Sequence, residues 1–389
     1  MKYMGHKGKM LPVLGEILLE FSSTSQKIAD PFCGSAAVSW FLAENTDKIV
    51  ISGDIQSFAV ARASSVIERT VAFDPLPMLS RWFERARESV NAVASHFPNH
   101  LRSIEPNLTD PSKIKEVVSQ SRNFCHDVLP VVFCNFEGKW PISKAYGGYY
   151  YSPVQALVFD ALRQTLPKKS SEKKVALAAL VEAVSRAAAA PGHTAQPFQP
   201  TESSAKYIIE AWLRDPWDLI RSSTLEIAAR AARTRGKGIV GNFSKTISLL
   251  QDGDLVFADP PYSGVHYSRF YHALETITRG IEFSPEGRGR YPSITDRPSS
   301  AFSKKSESKV AAKNLLQACS DKKVTLVLTF PTFGASNGLT AKDFIDTGKS
   351  LFSKVHLEEV RSDFSTLGGN KKHRQARQIC NESILCFVP

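Results

Sequence analysis

The sequence predicts an α/β protein: an open, Rossmann-like sheet divided by a long, largely helical insertion. Three stretches carry this. Lys27-Ile28-Ala29-Asp30 reads as a short strand that runs into a turn of small residues and an apolar helix. About 20 residues later, Ile49-Val50-Ile51 forms a second strand ending near Asp54. Far along the chain, Asp254-Leu255-Val256-Phe257 is an apolar run with the length of a buried strand. Strands that alternate with helices build a mainly parallel sheet. The sheet-forming parts are expected at 1–70 and 236–389, with the insertion at 71–235.

Composition sets the outer bounds. The 389 residues are enough for one large or two modest domains with ample core. A hydrophobic share of 42% with 22% charged residues is that of a soluble globular protein. The net charge of +11 points to a polyanionic partner. Cys33, Cys125, Cys134, Cys319, Cys380 and Cys386 form no C-x-x-C pair, so reduced core thiols and no metal site are expected. No signal peptide is visible. The most apolar helix candidate, Val175 to Ala190, is interrupted by Glu182 and Arg186, which excludes a membrane span.

At the N-terminus, Lys2-Tyr3-Met4-Gly5-His6-Lys7-Gly8-Lys9 is a basic, glycine-containing turn. Leu11, Leu14, Ile17, Leu18 and Phe21 follow at helical spacing. Such a turn holds an anion or a carboxylate, or is simply a flexible start. In Asp30-Pro31-Phe32-Cys33-Gly34-Ser35-Ala36, the small residues let a ligand approach the backbone at a helix N-terminus. An acid at the end of the second strand, here Asp54, is the usual partner of ribose hydroxyls. The turn lacks G-x-G-x-x-G and a phosphate-loop lysine. That favours a nucleoside with an amino-acid tail over a pyrophosphate.

The middle, Val71 to Arg235, opens with a basic helical stretch containing Arg81, Trp82, Arg85 and Arg87, then polar turns around Pro98 to Pro111. In Tyr146-Gly147-Gly148-Tyr149-Tyr150-Tyr151 a Gly-Gly turn is flanked by four tyrosines. It suits contact with bases and phosphates, and equally an aromatic loop packed inside the protein. Helices are expected at Gln155 to Leu166 and Lys174 to Ala190, and a breaker-rich loop at Pro191 to Pro197. His193 alone indicates neither a metal nor a base.

Ala258-Asp259-Pro260-Pro261-Tyr262 follows the late strand. Two prolines end the strand and stiffen the backbone. This places a carboxylate, a proline carbonyl and an aromatic ring at the C-terminal edge of the sheet, where open α/β sheets bind ligands. The set suits methylation of an exocyclic amino group. Asp259 accepts one N–H, the Pro260 carbonyl the other, and Tyr262 stacks a flipped base. Beyond it, His266, Tyr267 and Arg269 open a helix, Phe283 to Lys309 reads as a mobile basic loop, Val324 to Phe330 and Ser383 to Val388 as strands, and Thr366 to Arg374 as a basic loop.

Taken in order, Lys2-Tyr3-Met4-Gly5-His6-Lys7, Asp30 to Ser35, Asp54 and Asp259 to Tyr262 resemble the D12 (Dam-like) class of adenine-specific DNA methyltransferases. The likeness covers roughly the first 70 and last 150 residues, and departs from the family at Ala36, where glycine is usual. It implies a Rossmann-like S-adenosylmethionine-dependent methyltransferase sheet, mixed, with one antiparallel strand, and target recognition in the helical insertion. By resemblance, S-adenosylmethionine lies against Tyr3, Lys7, Asp30, Phe32, Gly34, Ser35, Asp54, Asp259 and Phe243, the last within a strand region Gly238 to Phe243. The catalytic set is Asp259, Pro260, Pro261 and Tyr262, with no metal. The expected substrate is adenine N6 in double-stranded DNA, in restriction-modification or defence beside a cognate partner, in the cytoplasm with the nucleoid. Cytosine N4, adenine in RNA, or a cofactor-binding recognition subunit with little catalysis stay open from the sequence.

Overall fold

The computed structural model describes residues 1, 3, 7–97, 110–332, 335–363 and 379–389. Lys2, Met4, Gly5 and His6 of the N-terminal motif, the turns expected over 98–109, and the basic loop at 366–374 lie outside the described residues. The chain divides into two compact units. A helical unit comprises Met1–Lys2, Phe73–Ala229 and Arg269–Arg297; a sheet unit comprises Tyr3–Ala72, Arg230–Ser268 and Pro298–Pro389. Arg269–Arg297, placed by sequence with the sheet-forming parts, clusters with the helices.

Among the described residues, seven strands make the sheet: β1 (Lys27–Asp30), β2 (Ile49–Asp54), β3 (Lys237–Val240), β4 (Leu255–Ala258), β5 (Thr325–Pro331), β6 (Lys354–Asp363) and β7 (Ile379–Val388). Their order is β3-β2-β1-β4-β5-β7-β6. β1 to β5 pair in parallel. β7 runs antiparallel to both β5 and β6, the one antiparallel strand expected. The chain steps outward from β1 through β2 to β3, then returns to the other side of β1 with β4. This reversal opens a crevice at the C-terminal ends of β1 and β4, the usual ligand position in such sheets. β1 and β4 are central because their apolar runs are covered on both faces. Leu14 and Leu18 of the helix Leu11–Phe21 are fully buried in the same unit.

Two parts of the chain differ from the sequence expectation. β6 was not expected. Lys354 to Asp363 is dense in charge, and its Leu357 is 51% exposed. Those features mark an edge strand, paired along its length with β7. The basic stretch Phe283 to Lys309, expected as a loop, carries local structure and a buried anchor. Glu286 pairs with Tyr291 in the helical unit, and Ala301–Ser303 forms a helical turn in the sheet unit with Phe302 buried in the core. A few aromatic anchors outweigh the polar composition.

In the helical unit, Ser170–Ala187 is buried nearly all round from Val175 onward, as befits a central helix. The two expected helices appear as Pro153–Gln164 and Ser170–Ala187. Tyr146, Tyr150 and Tyr151 are fully buried, which favours packing over nucleic-acid contact for those three. The Tyr150 hydroxyl donates to the carbonyls of Thr194 at 2.6 Å and Gly289 at 2.9 Å. Tyr149 is half-buried, with the guanidinium carbons of Arg122 and Arg290 4.1 and 4.2 Å from its ring centre. Asp160 is buried; its Oδ1 accepts the Ile142 N–H at 2.9 Å and its Oδ2 the Ser143 N–H at 2.8 Å. No described helix is long and apolar enough to cross a membrane.

Candidate active site

The loop after β1 is built to bring backbone close to a ligand. Gly34 takes φ +45°, and a Cβ there would lie 2.6 Å from the Tyr3 hydroxyl, so only glycine admits the tyrosine. Ala36 takes φ +65°, a left-handed conformation that costs a non-glycine residue about 1–2 kcal/mol. The family departure at this position is therefore a local backbone strain. The loop is fixed from three sides. The Cys33 N–H donates to the Gly53 carbonyl at 2.9 Å, the Gly34 N–H to Asp54 Oδ2 at 3.1 Å, and buried Arg62 Nε to the Ser35 carbonyl at 2.8 Å. Asp54 also accepts the Gln56 N–H at 2.9 Å. It thus shapes the loop while lining the cavity beside it.

Asp30 ends β1 and is almost fully buried. Its Oδ2 accepts from Ser39 Oγ at 2.6 Å, and Ser39 accepts from Ser52 Oγ at 2.8 Å. Among the described residues its Oδ1 has no hydrogen-bond partner. Burial, reinforced by the nearby Asp259 and Asp54 charges and opposed by Ser39 and the Phe32 backbone N–H, pushes its carboxyl up to about 7. A buried carboxylate oxygen without a donor fits a site that a cation or N–H group completes.

Asp259 follows β4, across the crevice from Asp30 in strand order. Its Oδ1 accepts from Thr329 Oγ1 at 2.9 Å and lies 3.1 Å from Lys7 Nζ. Lys7 also donates to Glu382 Oε1 at 2.7 Å. Burial raises the Asp259 carboxyl to about 6, with Lys7 pulling down and Glu382 pushing up. For Lys7, burial works against the charge, but the two carboxylates outweigh it and hold its pKa above the usual value. The Pro261 carbonyl accepts from Asn337 Nδ2 at 2.9 Å, and the same amide donates to the Phe302 carbonyl at 2.9 Å. One buried asparagine thus fixes both the proline run and an aromatic wall. That wall is Phe32, Phe243 and Phe302; Phe32 and Phe302 meet edge-on at 5.4 Å, and Phe243 is 6.1 Å from each.

These residues surround a single cavity of ≈ 770 Å³, within the range of cofactor sites. Tyr3, Lys7, Asp30, Phe32, Gly34, Ser35, Asp54, Phe243, Asp259, Pro261 and Tyr262, all expected from sequence, line it. Pro260 does not. Thr329, Glu382, Phe302 and Asn337 were not anticipated. Glu382 carried a signal, as an acid at the head of an apolar strand; Asn337 and Thr329 carried none. Arg269 lies in the helical unit, while Tyr267 lines the cavity. The family model for the D12 class N6 adenine-specific DNA methyltransferase matches residues 142–326. That span holds β4 and the Asp259 to Tyr262 run; the loop after β1 and the N-terminal segment lie before it. No curated protein matches the chain.

Proposed function

We propose a division of labour among the residues of this cavity, on the premise that the chain belongs to the D12 class of N6 adenine-specific DNA methyltransferases and methylates adenine N6 in DNA. The donor we assign is S-adenosylmethionine, the general methyl source of such enzymes. When bound it would supply a sulfonium-activated, electrophilic methyl group for the amino nitrogen. The residues present fit it. Asp30 Oδ1, buried and without a donor, suits an α-ammonium group. Lys7, with two N–H groups directed at carboxylates, has a third for an α-carboxylate. Asp54 takes the ribose hydroxyls, Phe32, Phe243 and Phe302 enclose the adenine, and Tyr3, Gly34 and Ser35 hold the backbone close.

For the target base, Asp259 accepts one N6–H, which turns the nitrogen lone pair toward the methyl group; the Pro260 carbonyl, outside the cavity lining, is assigned the second N–H only by the resemblance. Pro261, held by Asn337, keeps the run in place, and Tyr262 offers the stacking face. Catalysis by this set is mainly positioning and polarisation. The observation that carries the reading is the placement of Asp30 at the end of β1 and Asp259 just past the end of the adjacent β4, at the point where the sheet order reverses. We extend the reading to duplex DNA as substrate, a cytoplasmic and nucleoid setting, and a restriction-modification or defence role beside a cognate partner; the +11 charge supports a polyanionic substrate. The test is mass spectrometry of nucleosides after incubation with duplex DNA and with RNA. N6-methyladenine in DNA is expected; N4-methylcytosine, or label in RNA alone, would overturn the assignment.

A further inference from the structure

Glu382 is unexplained by that division of labour. It sits on β7 opposite Pro331 of β5 and is 1% exposed. Its Oε1 takes the shorter bond to Lys7, 2.7 Å against 3.1 Å from Lys7 to Asp259. Its Oε2 is buried and has no hydrogen-bond partner among the described residues. Burying a second carboxylate beside the first is costly unless something is gained from it. Three chain segments far apart in sequence, the Lys7–Lys9 turn, the loop after β4, and β7, converge on one ammonium.

Charge shows what is gained. Lys7 with Asp259 alone would form a neutral pair, and the ammonium would weaken the very carboxylate that must accept an N–H. With Glu382 the cluster carries one net negative charge when all three groups are ionised. Methyl transfer to a neutral amino group leaves a positive nitrogen bearing one proton too many. Asp259, whose Oδ1 is occupied by Lys7 and Thr329, has Oδ2 for the departing proton. We propose that Glu382 is a positioning residue for methyl transfer: it draws Lys7 away from Asp259 and so keeps Asp259 a strong acceptor for the target amino group. This rests on the methyltransferase reading above. The titratable groups facing Asp259 are Lys7 from the N-terminal turn, Glu382 from β7, Asp30 from β1, and Tyr262 from its own loop.

The experiment measures kcat and KM for DNA methylation against pH, with cofactor affinity by calorimetry, in wild type and Glu382→Gln. Glutamine keeps the shape and an acceptor for Lys7 but loses the charge. We expect kcat to fall about tenfold or more, cofactor affinity to stay within about twofold, and the acid limb of the kcat profile to move to lower pH. A folded Glu382→Gln with unchanged kcat and an unmoved acid limb overturns the proposal. If Glu382→Gln does not fold, Lys7→Met is compared with Lys7→Met/Glu382→Gln, which removes both charges together. Equal kcat in these two is expected of a residue that acts through Lys7, and a further tenfold fall overturns it. Wild-type protein that methylates no adenine would sink the underlying reading and this inference with it. Active wild type with a silent Glu382→Gln sinks the inference alone.

Discussion

In the helical unit Asp160 is buried, and in the sheet unit Asp30 is buried; burial pushes each carboxyl up to about 7. Their surroundings separate them. Both oxygens of Asp160 are met by backbone N–H groups at the start of the helix Pro141–Tyr146, so the group closes a local structure. Asp30 has one oxygen met by Ser39, and its Oδ1 has no hydrogen bond of ordinary geometry among the described residues, although the Phe32 backbone N–H acts on the carboxyl. The lesson is that burial and a raised pKa do not mark a functional carboxylate by themselves. The hydrogen bonds left unmade do.

The comparison implies that carboxylates of the sheet unit fail in function without failing in stability, and that Asp160 fails the other way. The largest effect is expected for Asp259→Ala. Methyl incorporation should fall by about 10²–10⁴-fold or more, while calorimetry still shows cofactor binding. Near-normal transfer in that variant would remove the mechanism.

Asp160→Ala comes next. It strands two buried N–H groups, so chemical denaturation should show a loss of about 2–4 kcal/mol, with cofactor affinity unchanged. A stable Asp160→Ala would erase the contrast.

Asp30→Asn should weaken cofactor binding by about 1.5–3 kcal/mol with little loss of fold. Its pH dependence sharpens the point. The Asp30 carboxyl is raised from 3.8 in the unfolded chain to about 7 in the fold, so its protonated form is the one the ligand-free fold prefers. Its stabilising contribution is full below the unfolded value and is lost as pH rises through about 7. Wild type should therefore lose melting temperature relative to Asp30→Asn between about pH 4 and pH 7. A constant difference across that window would contradict the buried, unpaired oxygen.

The smallest effect is expected for Ala36→Gly. Relief of the left-handed strain outweighs the added freedom of glycine in the unfolded chain by no more than about 1 kcal/mol. Ala36 does not line the cavity, so cofactor affinity should hold. Destabilisation in a denaturant titration would show that the methyl packs better than its backbone angle suggests.

What the sequence by itself determined is short in range. Apolar runs marked β1, β2, β4, β5 and β7. Small residues after Asp30 marked a loop that approaches a ligand, and two prolines after Asp259 marked a stiff strand end. Each of these is legible because a few neighbouring residues dictate the local backbone. Charge-rich β6 was not legible, since its place is set by pairing with β7 and not by its own pattern. Nor was the stretch holding Phe302, whose polar composition hid an aromatic anchor. The tertiary structure alone decided how Lys7, Asp259, Thr329 and Glu382 meet. Lys7 and Glu382 are 375 residues apart, and strand order, not sequence spacing, brings them within one hydrogen bond. A carboxylate's acidity depends on desolvation and on charges a few ångströms away, and those distances exist only once the sheet has formed.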